Sequence, residues 1–168
     1  MIWKNIDYLK IINGALVLLL VVVFESLLSD SLRLANVKLD LPLLLVVYIA
    51  LVRGAKEGLI HGFLIGVLID VLTPYFLGLN ALIKTLLGYL VGNFRETLFL
   101  ESIYSKGLVI FLALILNDLI YYAVYSGVDF STMLEVIFFS SVLSGVYTSG
   151  IGMLAFFIRE RFKLRIAF

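Results

Sequence analysis

The chain has 168 residues, of which 62% are hydrophobic and 15% are charged, and its mean hydropathy is +1.13. Its apolar residues form long runs, which excludes a soluble globular domain and is typical of a polytopic membrane protein. A formal net charge of +1 argues against bulk binding to nucleic acid. The absence of cysteine excludes disulfides and thiolate metal sites, and a single histidine excludes a histidine cluster.

Six apolar segments follow one another, and we interpret them as six membrane-spanning helices of one transmembrane domain that comprises residues 1–168. The first follows a basic N-terminal segment. Since no small-residue cleavage motif comes after it, we expect this segment to be retained. The second begins with Pro42, which the first turn of a helix tolerates. It is short for a bilayer core of about 30 Å, so the sequence leaves open whether it spans fully. The predicted spans cover roughly residues 11–28, 41–53, 58–72, 81–94, 106–126 and 135–158.

The distribution of lysine and arginine predicts the orientation of the helices. With both termini in the cytoplasm, the outside loops contain only Arg33 and Lys38. The cytoplasmic segments then contain Lys4, Lys10, Arg53, Lys56, Arg95, Lys106, Arg159, Arg161, Lys163 and Arg165. This asymmetry agrees with the positive-inside rule and favours an even number of spans.

Glycine recurs at every fourth position in the third predicted span and again in the fourth. The positions are Gly54, Gly58, Gly62 and Gly66, and then Gly88 and Gly92. Residues four apart share one face of a helix, so each set forms a surface without side chains. Such a surface lets a second helix approach closely in a membrane. The glycines therefore indicate helix packing, either within the chain or against a partner helix or a second copy of the chain.

Five polar or charged residues fall in or beside the apolar spans. Counted at about 1.5 Å per residue, they all lie toward the outside. They are Glu25, Asp70, Asn80, Lys84 and Asp118. Because charges inside a bilayer are costly, we predict a polar pocket open to the outside, with Lys84 paired to Asp70 or Glu25. The alternative is that these side chains reach the headgroups or cap neighbouring helices.

No catalytic motif is present: the chain has no nucleophile elbow, no HExxH sequence and no P-loop. We therefore expect a protein that is not an enzyme and that uses neither a cofactor nor a metal ion.

Residues 40 to 92 form a recognisable pattern. It begins with Asp40-Leu41-Pro42, a leucine-rich run to Tyr48, and then Ala50-Leu51-Val52-Arg53-Gly54. It continues with Gly58, Gly62-Phe63, Gly66, Asp70, Gly78-Leu79-Asn80-Ala81, and Gly88-Tyr89-x-x-Gly92. This pattern resembles the core motif of the MreD family of rod shape-determining proteins. His61 and Lys84 depart from the motif, since small or apolar residues are expected there, and so does the aromatic pair Tyr75-Phe76 in the turn.

The resemblance implies a multi-pass protein of the bacterial inner membrane that acts as a scaffold in cell elongation. Its expected partner is MreC, which has one span and a periplasmic domain. The assembly is expected to link MreB filaments to the glycosyltransferase and transpeptidase of lateral peptidoglycan synthesis.

The family also looks similar in fold to the substrate-binding subunits of energy-coupling-factor transporters, which are six-helix bundles with an outward-facing pocket. The alternative function is therefore a membrane subunit that captures a vitamin-type solute or a lipid for transport. Such a subunit would require a cytoplasmic ATPase.

Overall fold

Five α-helices make up the part of the chain that the computed structural model describes, which comprises residues 39–72, 77–95, 102–124, 139 and 141–162. These residues contain no strand. The helices are α1 (Leu41–Arg53), α2 (Ala55–Leu72), α3 (Leu79–Phe94), α4 (Ile103–Val124) and α5 (Val142–Phe162). The predicted first span at residues 11–28, together with Glu25, lies outside the described residues. The prediction of an all-helical protein is confirmed for the described part.

Helix α1 begins and ends at residues suited to those positions. The side chain of Asp40 accepts a hydrogen bond from the backbone N–H of Leu43 at 2.8 Å, which caps the first turn. At the other end, Gly54 has φ +100°, a conformation that favours glycine. Its carbonyl already accepts from the N–H of Gly58, so α2 starts immediately after α1. One glycine thus forms the whole connection between the two helices.

Helices α2 and α3 form an antiparallel pair whose backbones are in contact. A Cβ atom added at Gly58, Gly62 or Gly66 would lie less than 3.0 Å from backbone atoms of α3. These atoms belong to Gly88, Lys84 and Ala81, respectively. Cβ atoms added at Gly88 and Gly92 would meet the backbone of α2 equally closely, at Gly58 and Ala55. These five glycines therefore lie inside the chain, between α2 and α3, whereas Gly54 lies at the connection of α1 to α2, next to the side chain of Arg95.

Helices α4 and α5 form a second antiparallel pair, but here the close neighbours of the glycines are side chains. The side chain of Met153 packs against Gly107, and the ring of Phe111 packs against Gly145. Gly152 lies against Ile110 and against Leu44 of α1. Because side chains can shift where backbone cannot, this pair tolerates small changes better than α2 and α3 do.

Helix α1 lies between the two pairs. It has no exposed residue, and Leu43, Val47 and Ala50 are fully buried. Its neighbours in the apolar core are Ile83, Leu87 and Val91 of α3, Val109, Ile110, Ala113 and Leu114 of α4, and Phe156 of α5. Large apolar side chains cover the outside of the other four helices, among them Phe63, Leu82, Leu112 and Leu154. Such surfaces suit contact with lipid.

Helices α4 and α5 are the two that are long and apolar enough to cross a membrane among the described residues. Helix α1 is apolar but has 13 residues, a length of about 20 Å against a bilayer core of about 30 Å. Helix α2 contains three charged residues, and α3 has 16 residues. The arrangement of six spans therefore remains a prediction.

We predict that Gly62→Ala lowers the free energy of unfolding by about 2 kcal/mol, because the new methyl group must push the two backbones apart. Gly150→Ala is the matched control, since an added Cβ there meets nothing within 4 Å. That change should be neutral or stabilising by up to about 1 kcal/mol. Denaturation of both variants in detergent measures the difference, and equal stabilities would contradict the contact.

Candidate functional site

The helices define two ends of the described bundle. At the Asp70 end, α1, α3 and α5 begin and α2 and α4 terminate. At the opposite Glu160 end, α1, α3 and α5 terminate and α2 and α4 begin. Side-chain contacts agree with this arrangement, because Asp70 bonds to the start of α3 and Lys106 pairs with Glu160. The residues that the sequence singles out as a polar pocket can now be located at the first of these ends.

Asp70, at the end of α2, caps the start of α3. Its Oδ2 accepts hydrogen bonds from the backbone N–H groups of Gly78 and Ala81, each at 3.0 Å. Its Oδ1 accepts from the backbone N–H of Asn80 at 3.1 Å and from the Asn80 side-chain amide at 3.0 Å. The carboxylate is 3% exposed. It thereby satisfies N–H groups that have no partner within α3 and lies at the positive end of the helix dipole.

Lys84 is connected to Asp70 through Asn80. Its Nζ donates to the Asn80 Oδ1 at 3.4 Å, and the amide of Asn80 donates to Asp70. Lys84 is 3% exposed and also interacts electrostatically with Asp118 of α4. The sequence predicts a direct pair of Lys84 with Asp70 or Glu25. The structure instead places an amide between Lys84 and Asp70, and Glu25 lies outside the described residues.

Asp118 connects α4 to the residue before α5 and lies near the start of α1. It accepts a hydrogen bond from the Asn117 amide at 3.0 Å and forms a second with the side chain of Ser141. Asp40, at the start of α1, is near enough for its like charge to repel that of Asp118, so this contact does not bind α1 to α4. Asn117 and Ser141 are both buried. Sequence analysis missed Asp40, Asn117 and Ser141 as site residues. Adjacent Asn117 and Asp118 within an apolar helix were the signal that could have revealed the first contact.

We call this set of residues the polar network. It joins α2 to α3, and α4 to α3 and to the residue before α5, at one side of the bundle, and Asp40 at the start of α1 lies beside it. Its members are Asp40, Asp70, Asn80, Lys84, Asn117, Asp118 and Ser141. In the described ranges, no three side chains of His, Asp or Glu are grouped so that they could hold a metal ion. The hydrogen bonds of the network hold the helices to one another.

Different contacts hold the Glu160 end together. Arg95 donates from Nη1 to the carbonyl of Val52 at 3.4 Å, beside the connection at Gly54. Lys106 pairs with Glu160 and also lies 5.2 Å from the centre of the Phe156 ring. The end of α3 is thus bonded to α1, and the start of α4 is bonded to α5.

A comparison with protein families matches residues 9–160 to the rod shape-determining protein MreD. The chain belongs to the MreD family. The match includes every described helix except the last two residues of α5, and it extends well beyond the motif at residues 40–92. The family assignment made from the motif is therefore confirmed. Comparisons with curated proteins and with solved structures gave no match. Membership identifies this MreD protein as a membrane protein with a role in rod shape determination.

We predict that Asp70→Ala lowers the free energy of unfolding by about 3 kcal/mol, because three backbone N–H groups, that of buried Ala81 among them, lose their acceptor. Asp40→Ala is the comparison, since it removes a single capping bond and should cost about 1 kcal/mol. Chemical denaturation in detergent gives both values. An Asp70→Ala variant no less stable than Asp40→Ala would show that the four-bond cap is absent.

We also predict that Lys84 and Asp118 depend on each other. Lys84→Met and Asp118→Asn should each destabilise the bundle, because each leaves an opposite charge without its neighbour. The double variant should lose less than the two single losses combined, with a coupling of about 1 kcal/mol. A double-mutant cycle measures this coupling, and strict additivity would contradict the interaction.

Proposed function

We propose that this MreD protein is a non-enzymatic scaffold of the cell elongation machinery in the bacterial inner membrane. It binds MreC and helps to couple MreB filaments to the glycosyltransferase and transpeptidase of lateral wall synthesis. The observation that carries the proposal is the family match over residues 9–160. The orientation proposed with it places both termini in the cytoplasm, the Asp70 end outside and the Glu160 end inside.

The bonding pattern of the described residues supports a scaffold. The polar side chains of the network are engaged within the chain, and Asp70 alone accepts four hydrogen bonds, three of them from backbone N–H groups. The glycines of α2 and α3 are likewise engaged in packing within the chain. What these helices present to their surroundings is a large apolar surface. A rigid body with an apolar surface is suited to hold partner helices in the membrane.

The position of the glycines restricts how MreC could bind. The face formed by Gly58, Gly62 and Gly66 is covered by α3, so a partner helix reaches it only if α2 and α3 separate. We therefore propose that the single span of MreC contacts the outward apolar faces of the helices instead. A second copy of the chain would use the same kind of surface.

Purification of the tagged chain from its native membrane in mild detergent, followed by mass spectrometry of proteins and small molecules, tests the proposal. We expect an MreC-like protein in near-stoichiometric amount. Gly62→Leu should reduce the yield of the complex, because it forces α2 and α3 apart and destabilises the body that the partner binds. Gly150→Ala serves as the control and should leave the yield unchanged.

Two outcomes would contradict the proposal. If transporter ATPase subunits and a bound solute copurify in place of an MreC-like protein, the chain is a substrate-capture subunit and the polar network becomes its binding site. If Gly62→Leu gives a complex in wild-type yield, the packing of α2 against α3 does not determine partner binding.

A further inference from the structure

The charged residues of the described ranges are distributed unequally between the two ends. Three carboxylates and one lysine lie toward the Asp70 end, which gives a net charge of −2: Asp40, Asp70, Lys84 and Asp118. Six basic and two acidic residues lie toward the Glu160 end, which gives a net charge of +4: Arg53, Lys56, Glu57, Arg95, Lys106, Arg159, Glu160 and Arg161. The Glu160 end is therefore complementary to an anionic surface.

Within this end, Arg159 has a particular position. Helix α5 reaches α1 through Phe156, whose ring lies 4.7 Å from the ring of Tyr48, centre to centre. Arg159 follows three residues later and is near enough to the Tyr48 hydroxyl to interact with it electrostatically. Both Arg159 and Tyr48 are half-buried. Because Arg159 comes about one turn after Phe156, it lies on the side of α5 that faces α1. A guanidinium group and a phenolic O–H, both hydrogen-bond donors, thus border the same contact between α1 and α5.

The charges of the described helices leave Arg159 available for an external anion. Lys106, the next basic side chain, is paired with Glu160. Among the described residues, no carboxylate lies within ion-pairing distance of Arg159. An arginine that is partly removed from water gains from an anionic partner, and its planar fork of N–H groups matches the oxygens of a phosphate.

Position along the helices indicates the source of that phosphate. Arg159 directly follows the apolar run of α5, and Tyr48 lies about one turn before the end of the apolar run of α1. The ends of apolar runs are where headgroup phosphates border the hydrocarbon core. Arginine at such a depth extends its charged group toward the headgroups. The cytoplasmic leaflet carries anionic lipid, and in the proposed orientation it surrounds this end.

We propose that Arg159 and the Tyr48 hydroxyl form a binding site for the phosphate of an anionic phospholipid at the Glu160 end. The Lys106–Glu160 pair and the Phe156 ring form the wall beside it. The site rests on the proposed orientation in the membrane, but it does not depend on MreC. It would anchor the border of α1 and α5, and hence the two helix pairs, to the cytoplasmic leaflet.

Native mass spectrometry of the purified full chain tests the site with phosphatidylglycerol as the probe and phosphatidylcholine as the reference lipid. Arg159→Gln should weaken phosphatidylglycerol binding about tenfold, because the charge-assisted hydrogen bonds are lost. Arg161→Gln is the matched control: it removes the same charge from the same turn, but Arg161 is exposed. Its loss should be about twofold.

Tyr48→Phe provides a second variant that keeps the ring against Phe156 and removes only the hydroxyl. It should weaken phosphatidylglycerol binding about threefold and leave phosphatidylcholine binding unchanged. This variant keeps the proposal testable if Arg159→Gln does not fold, which a thermal denaturation curve will show.

Three results would overturn the proposal. Equal losses for Arg159→Gln and Arg161→Gln would assign the attraction to the overall charge of this end. A wild-type chain without preference for phosphatidylglycerol would remove the site. Competition by millimolar inorganic phosphate would assign the two side chains to a soluble phosphate compound. All three measurements use the chain without partners, so they are independent of whether MreC copurifies.

Discussion

The backbone contact between α2 and α3 is the constraint on which the rest of the described structure depends. Gly58 and Gly88 meet with no side chain between them, and Gly62 lies against the carbonyl of Lys84. Each glycine costs a helix about 1 kcal/mol relative to alanine, so the pair is stable only while the contact compensates. In a membrane that compensation comes from van der Waals packing, which falls off steeply when two helices separate. Small side chains at these positions are therefore a condition of the fold.

This contact also determines the register of the polar network. With Gly62 against Lys84 and Gly66 against Ala81, Asp70 comes to lie beside the first turn of α3. A displacement by one turn would carry the carboxylate about 5 Å from the N–H groups that it satisfies. Asn80 would then lose its bond to Asp70, and Lys84 would lose the acceptor that Asn80 holds in place. Packing and polar bonding thus specify the same alignment of the two helices.

Local spacing in the sequence predicted an all-helical protein, and it singled out the glycines of α2 and α3 and four residues of the polar network. That these residues form a pocket or a partner site stays a prediction. Residues four apart share a face whatever surrounds them, and a carboxylate in an apolar run requires a partner. The sequence could not show which helix covers the glycine face, because a face without side chains can pack equally well against a helix of the same chain or a helix of a partner protein. It also could not place Asp40 and Ser141 beside Asp118, because those contacts join residues that are distant in the chain. The charge of Lys84 suggested a direct ion pair with an acid. Asn80 instead lies one helical turn before Lys84 in α3, and its side chain bonds both Lys84 and Asp70.

Charge in a bilayer is energetically unfavourable, and the two ends of the bundle offset this in different ways. The difference bears on the proposed scaffold function. At the Asp70 end the net charge is −2, but Asp70 and Asp118 accept hydrogen bonds from amides, hydroxyls and helix N–H groups of their own chain, which offset part of the cost of burying them. At the Glu160 end basic residues exceed acidic ones, and compensation must come from outside the described helices. A protein with excess negative charge at one end and excess positive charge at the other has a defined orientation relative to an anionic leaflet, because the positive end is attracted to it. A partner helix packed against its apolar faces would therefore encounter it in one orientation, as the scaffold proposed above requires.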